Sequence, residues 1–417
     1  MGCRFWVVWG DQSEPGGVMM DSVVLCEGDP SQVAMNTVRV QRARELLHSH
    51  VEGGNTPTLV AVVARHGVIV LAEAIGQRGP GLGPVELDDP FNVFSVTKPF
   101  TATMVMMLAE DGLLSINRPV VDYLPEMTRE GNDRILLSHL LTHTSGFDGE
   151  TIYPVIVERF KRGEVSVPPA GIDFYSHAML DAAWDAQRSY DVGSRMVYSG
   201  HNYSLLGEVV RRVSGETLDA FSRRRIFEPL GMASTSFCLS TDQAARRVRR
   251  APDLPGGQPY DEDGWPHSEA PEWECLQGGS NGLKTSTRDL AVFAQMFLNG
   301  GRYGDARVLS RAAVAAMTRN QTSGVPVDIF GQRHLESGWG YGWSVNVGEK
   351  WAYHGLDLAP HGTFGHGGWG GSYFGVDPTH GLVFATNELA TGVNDYGEAA
   401  SVVLDRFMNV MYSSLED

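Results

Sequence analysis

Apolar positions along this chain switch between a helical and an extended period, and the switches outline its elements. Phe100, Met104, Met107 and Leu108 recur at the i, i+4, i+7, i+8 spacing of one buried helix face, and Gly112 supplies a stop. A buried helix is therefore predicted to begin at or just after Ser95. Upstream, residues 38–51 read as an amphipathic helix with Leu46 and Leu47 on its apolar side, ended by Gly53 and Gly54. Two runs rich in Val, Ile, Leu and Ala, 58–65 and 68–74, meet at His66 and Gly67 and predict a tight antiparallel hairpin buried on both faces. After Gly112 come short helical pieces at 120–124 and 135–144, then a stretch at 148–191 of irregular pattern, suited to a pocket wall or lid, or equally to surface decoration. Helices are predicted at 204–215 and 287–299, with a Pro-, Gly- and acid-rich loop region at 240–277 between them. A second hairpin pairs 372–377 with 382–387, and Val402, Val403, Phe407, Val410 and Met411 belong to a closing helix.

Strands near both ends with helices between them predict one sheet assembled from the two termini and a helical domain inserted in its middle. The expected divisions are an N-terminal arm at 1–37, an α/β domain from 38–94 and 280–417, and a mainly helical domain at 95–279. The length of 417 residues suits two or three domains, and 42% apolar with 20% charged residues describes an ordinary globular chain. A formal net charge of −17 opposes a nucleic-acid partner, because such proteins gain affinity by neutralising phosphates with Lys and Arg. The basic runs 223–225 and 246–250 carry no interleaved aromatics and read as solvated faces. No apolar run approaches the ~20 residues of a membrane span, and the run at 5–9 is too short for a signal-peptide core, so a cytoplasmic location is expected. Cys3, Cys26, Cys238 and Cys275 are widely spaced without a C-x-x-C pair, which predicts free thiols in a reducing compartment.

Ser95 and Lys98 stand three apart, so a helix starting there sets the amine beside the hydroxyl. Serine needs a neighbouring base, and a lysine serves as one when desolvation or nearby positive charge keeps it neutral. The helix N-terminus would add N–H groups where an acyl oxyanion forms. Alone, S-x-x-K also fits a capping serine and a surface lysine. Other patterns compete with it. Ser280 lies in Gly278-Gly-Ser-Asn-Gly282, the spelling of a nucleophile elbow, although the preceding Ala270-Pro-Glu-Trp-Glu274 makes a poor strand for one. His139 and His143 are four apart, but they lack the glutamate of a zinc helix and a third ligand, which favours a structural role.

Five stretches follow one another: Ser95-Val-Thr-Lys98, Leu140-Leu-Thr-His-Thr-Ser-Gly146, the stretch 192–207 around Tyr198, Gly278 to Asp289, and Phe364-Gly-His366-Gly-Gly-Trp369 running to Asp377. In this order the chain resembles the serine β-lactamase and penicillin-binding-protein superfamily over residues 38–412, in the branch with class C β-lactamases, family VIII carboxylesterases and D-aminopeptidases. The resemblance implies a mixed α/β, β-lactamase/transpeptidase-like fold: an antiparallel sheet flanked by helices, an inserted helical domain, and the site in the cleft between the two domains. It implies that Ser95 is acylated, that Lys98 accepts its proton, and that Tyr198 shuttles a proton to the leaving group, with Lys98 and Tyr198 titrating as a coupled pair. Tyr175, Tyr190 and Tyr203 compete for that role, but only Tyr198 has the matching flanks. His366-Gly367-Gly368 matches the motif on a strand facing the serine, and the N–H of Trp369 would complete the oxyanion hole with that of Ser95.

Two positions depart from the pattern. The third residue of the Y-x-N motif is Gly200 instead of Asn, with Asn202 two positions displaced, and His366 stands where a lysine would grip a carboxylate. Both weaken the case for amide or lactam substrates. The sequence therefore predicts a serine acyl-hydrolase with no metal or organic cofactor, acting on a small-molecule ester or amide. A carboxylesterase is favoured, with transfer to a small alcohol or amine open to the same mechanism. An amidase, D-aminopeptidase or weak β-lactamase, and a catalytically silent binding protein, are the alternatives.

Overall fold

The computed structural model describes residues 23–329, 332–334, 338–348, 356–392 and 403–416. Residues 1–22 of the expected arm, with Cys3 and the apolar run 5–9, and Val402 of the closing helix lie outside the described residues.

Seven strands form the sheet: β1 (Cys26–Glu27), β2 (Thr58–Arg65), β3 (Val68–Gly76), β4 (Ser344–Val345), β5 (Phe364–Gly368), β6 (Ser372–Asp377) and β7 (Leu382–Glu388). Their spatial order is β1-β3-β2-β7-β6-β5-β4, antiparallel throughout except where β1 joins β3 in parallel. The β2–β3 hairpin turns through His66 and Gly67, with φ of 51° and 84°. Both lie in the left-handed region that a two-residue hairpin turn demands. Pairing of β2 with β7 along Leu59 to Arg65 joins the N-terminal hairpin to the C-terminal one, as the hydrophobic runs predict.

The main helices are α1 (Thr37–Glu52), α2 (Thr97–Glu110), α3 (Gly149–Lys161), α4 (Phe174–Trp184), α5 (Gly200–Ser214), α6 (Thr287–Leu298) and α7 (Leu404–Tyr412). Alternation along β2 explains the layering: Leu59, Ala61 and Val63 pack with Leu47 of α1 and Phe407 and Met411 of α7, whereas Val60, Val62 and Ala64 face the cluster of Phe100, Met104 and Phe293. Successive side chains of a strand point to opposite faces, so one strand serves both cores. Every residue of α2 from Thr97 to Leu108 is buried. No helix among the described residues is long and apolar enough to cross a membrane.

Four expectations change. The stretch 148–191 is not irregular, since it contains α3 and α4, capped by Asp148 and Asp173, whose carboxylates accept from Glu150 N and Ser176 N. Pro154 inside α3 and the Ala-rich, nearly all-round apolar surface of α4 blur the helical period. Part of the arm is structured, because β1 extends the sheet. The basic run 246–250 is not a solvated face. Arg247 is 1% exposed and paired with Glu269 at 3.0 Å, and Arg250, 7% exposed, donates to the carbonyls of Gly370, Pro255 and Ala390. Finally, Cys238 and Cys275 are not free thiols: they face each other across an antiparallel bridge and form a disulfide. The 37-residue separation hid this pairing, and it removes the thiol argument for a reducing compartment.

Candidate active site

Ser95 occupies a single 3-10 turn, Phe94–Val96, that leads into α2. Phe94 has φ of 46°, the left-handed region that a bulky side chain rarely adopts, and such strain is held only where surrounding packing over-determines it. Here that packing is aromatic, with the Trp273 and Trp369 rings 5.4 and 5.0 Å from Phe94. One turn on, Lys98 is 1% exposed, and its Nζ lies 2.9 Å from Ser95 Oγ and donates to the Ser280 carbonyl at 3.1 Å. The 279–283 segment is tied along this first turn of α2. Thr101 donates to the Gly279 carbonyl at 2.7 Å, and Thr97 Oγ1 accepts from Leu283 N at 3.0 Å.

Tyr198 follows the two-residue strand Met196–Val197, and Lys98 Nζ stands 5.0 Å from its ring centroid. A buried turn around His143 holds that segment. Val197 N donates to the His143 carbonyl at 2.9 Å, and Ser199 N and Asn202 Nδ2 donate to His143 Nδ1 at 3.1 and 3.2 Å. Two donors at Nδ1 leave the ring proton on Nε2. Burial is the chief cause that holds the ring well below the usual histidine range, in keeping with a neutral imidazole. The His143 and Tyr198 ring centroids are 4.6 Å apart. His143 therefore has a structural role, as the sequence favours, but in direct contact with a site residue. His139 acts elsewhere, accepting from Leu136 N at 3.1 Å, and among the described residues no group of three His, Cys, Asp or Glu is arranged for a metal ion. Of the competing tyrosines, Tyr203 spends its hydroxyl on the Leu141 carbonyl and Tyr190 lies under Arg195.

Asn202 cannot replace the missing asparagine of Y-x-N: it is fully buried, and its Oδ1 accepts from Ser145 Oγ at 2.7 Å while its amide serves His143. Gly200 packs against Ser280: a Cβ there would stand 2.9 Å from Ser280 Oγ, which would have to turn aside. Ser280 is thus part of this site, but not as an elbow nucleophile. A 3-10 turn, Pro271–Glu274, precedes it, and a two-residue strand, Lys284–Thr285, follows it, where an elbow needs a strand and then a helix.

On the facing strand β5, Gly368 permits a close approach. A Cβ at that position would fall 2.1 Å from the Val93 carbonyl oxygen. This contact carries the following residue, Trp369, to the turn that bears Ser95, and Gly370 and Gly371, with φ of 91° and 104°, close the hairpin behind it. Arg250 fixes that hairpin by donating to the Gly370 carbonyl at 2.7 Å, with its guanidinium carbon 5.1 Å from the Trp369 ring centroid. Burial pulls its pKa down to about 10. Nothing in the basic run 246–250 signalled this partner 120 residues away. His366 is buried, its Nδ1 2.6 Å from the Gly367 carbonyl and its ring 6.3 Å from that of Tyr198. A carbonyl only accepts, which puts the ring proton on Nδ1. Ser95, Lys98, Tyr198, His366 and the Gly367-Gly368-Trp369 turn, far apart in the chain, are thus brought together.

A family model described as Beta-lactamase matches residues 43–400. A protein of Escherichia coli (strain K12) named "Putative D-alanyl-D-alanine carboxypeptidase" is 25% identical over 404 residues, covering 89% of this chain and 87% of its own length. Among solved structures, a penicillin-binding protein homolog from Caulobacter crescentus matches with a TM-score of 0.73 at 22% identity, covering 90% of this chain and 98% of that one. A family VIII carboxylesterase matches at 0.71 and 21% identity, covering 91% and 99%. At such identities the structural likeness is one of fold. The family match spans most of the chain and agrees with the sheet and helices described above, so the chain belongs to the β-lactamase family of serine hydrolases.

Proposed function

We propose that this protein is a carboxylesterase that works through an acyl-enzyme on Ser95, with water as the final acceptor. The observation that carries the reading is the Lys98 amine 2.9 Å from Ser95 Oγ at the buried root of α2, with the Tyr198 ring beside it. In this reading the site lies in the cleft between an α/β unit from 38–94 and 280–417 and a helical unit at 95–279.

Ser95 Oγ attacks the ester carbonyl as its proton passes to the Lys98–Tyr198 pair, which acts as one coupled base. The N–H groups of Ser95 and Trp369 receive the oxyanion. When the tetrahedral adduct collapses, the pair returns the proton to the departing alkoxide oxygen. Water then attacks the acyl carbon, its proton goes to the same pair, and Ser95 Oγ regains a proton as the carboxylic acid leaves. An ester suits this site better than an amide, because an alkoxide departs more readily than an amine and needs less help. Gly200 offers no side chain to hold an amide, and Asn202 is committed elsewhere.

A second reading, a carboxypeptidase acting on D-alanyl-D-alanine, is favoured by the name of the Escherichia coli relative. Intact-mass spectrometry after a fluorophosphonate probe tests the shared chemistry: labelling is expected in wild type and in Ser280→Ala, and absent in Ser95→Ala. Turnover of p-nitrophenyl butyrate against a D-alanyl-D-alanine peptide separates the two readings, and peptide preference would reject the esterase.

A further inference from the structure

Beside Phe94, the residue that precedes Ser95, lies a cavity of about 360 Å³, within the span of roughly 300–1,000 Å³ typical of small-molecule sites. The end next to the nucleophile is walled by Phe94, Trp273 and Trp369. Deeper in, Tyr175 and Trp265 meet edge to face with centroids 5.6 Å apart. One face of α5 forms the opposite wall, where Ser204, Gly207, Glu208 and Arg211 repeat at the i, i+3, i+4, i+7 spacing of a single helix side.

The charges at the far end are already paired. Glu208, 4% exposed, accepts from Arg211 and Arg212 at 2.7 and 2.6 Å, and Arg212 also binds Glu126 at 2.8 Å. Two cations and two anions cancel, so the far end offers no net charge to a ligand. One polar group of the wall is not satisfied: Ser176 is 6% exposed, and its buried hydroxyl has no hydrogen-bond partner. A buried hydroxyl is normally hydrogen-bonded, so an ordered water or a ligand oxygen that displaces it is the natural partner here.

The cavity also has a side relative to the reaction. Phe94, the neighbour of Ser95, and Trp369, which together flank the proposed oxyanion site, line it. Resting on the acyl-enzyme reading above, we propose that this cavity is the acyl pocket, and that it takes an uncharged aryl or arylalkyl acyl group bearing a hydrogen-bonding oxygen that reaches Ser176.

The test holds the leaving group constant, using p-nitrophenyl esters of acetate, 3-phenylpropionate, 3-(4-hydroxyphenyl)propionate and succinate, with fluorophosphonate labelling of Ser95 run in parallel. The expected kcat/KM is at least tenfold higher for 3-phenylpropionate than for acetate, higher again by about threefold for the hydroxylated ester, and lowest for the charged succinate. Ser176→Ala is expected to erase the threefold step alone. Ser204→Phe and Met179→Trp, which fill the cavity from two different helices, are expected to cut the phenylpropionate-to-acetate ratio at least tenfold. If either filling variant loses its thermal transition, the ratio in the other and the Ser176→Ala step still decide. A phenylpropionate-to-acetate ratio at or below one on enzyme that labels at Ser95 overturns the pocket and leaves the acyl-enzyme intact. A preference for succinate overturns the neutral-pocket assignment, and absence of labelling overturns the underlying reading.

Discussion

Replacing Lys98 by methionine separates the chemistry of this site from its stability. Lys98 is 1% exposed, and its polar contacts include Ser95 Oγ at 2.9 Å and the Ser280 carbonyl at 3.1 Å. Methionine has a similar length without the amine. Ser95 is half-buried, so its hydroxyl can turn to water, whereas Ser280, 5% exposed, keeps a buried carbonyl without this donor. Such a loss costs about 1–3 kcal/mol. Against it, an amine that is expensive to desolvate in its charged form gives way to a thioether, and exchanges of buried charged groups for apolar ones are often neutral or stabilising by about 1–4 kcal/mol. The two effects offset, and a net change within about 2 kcal/mol is expected, or only a few degrees in Tm. Turnover behaves differently. Loss of the proton acceptor removes roughly 10²–10⁴ in rate, and about 10³ corresponds to ~4 kcal/mol of transition-state stabilisation. Calorimetry and hydrolysis of p-nitrophenyl butyrate on the same preparation measure both. A Lys98→Met variant that keeps more than a tenth of wild-type kcat would refute the base assignment, and one that fails to fold would show that the amine is chiefly structural.

Two further perturbations follow from the packing. Gly200→Ala should lose about tenfold in kcat although alanine favours the helix, because the new Cβ meets Ser280 Oγ at 2.9 Å and Ser280 carries the carbonyl that holds Lys98. Adding Ser280→Ala should restore most of that loss, and additive effects in the double-mutant cycle would argue against the clash. Burial raises the Asp289 carboxyl to about 7 from 3.8, although it accepts from Ser234 N and Thr235 Oγ1. The folded state then binds the extra proton, so this group's contribution to stability is complete below 3.8 and is lost as pH rises toward about 7. Thermal melts from pH 4 to 7 should show that decline in wild type and a shallower one in Asp289→Asn, and parallel curves would contradict it.

Much of this architecture is local information. The two hairpins, α1, α2 and α6 follow from runs of Val and Ile, from apolar residues at helical spacing and from glycines that stop them, because those features depend on neighbours within a few residues. The Ser95–Lys98 pair is legible for the same reason, since one helical turn sets its distance. The motifs around Tyr198 and His366 are readable through their order, although 168 residues separate those two side chains. What local pattern could not supply were contacts between distant segments. Gly200 reads as a lost asparagine until Ser280 is found against it, and Arg250 reads as surface charge until the Gly370 carbonyl receives it. Cys238 and Cys275 look unpaired until two distant segments lie side by side. The acyl cavity is likewise made of α4, α5 and the 256–281 loops, none of which encloses it alone. Sequence periodicity constrains which face of an element is buried, and only the packing of those faces decides which distant side chains share a site.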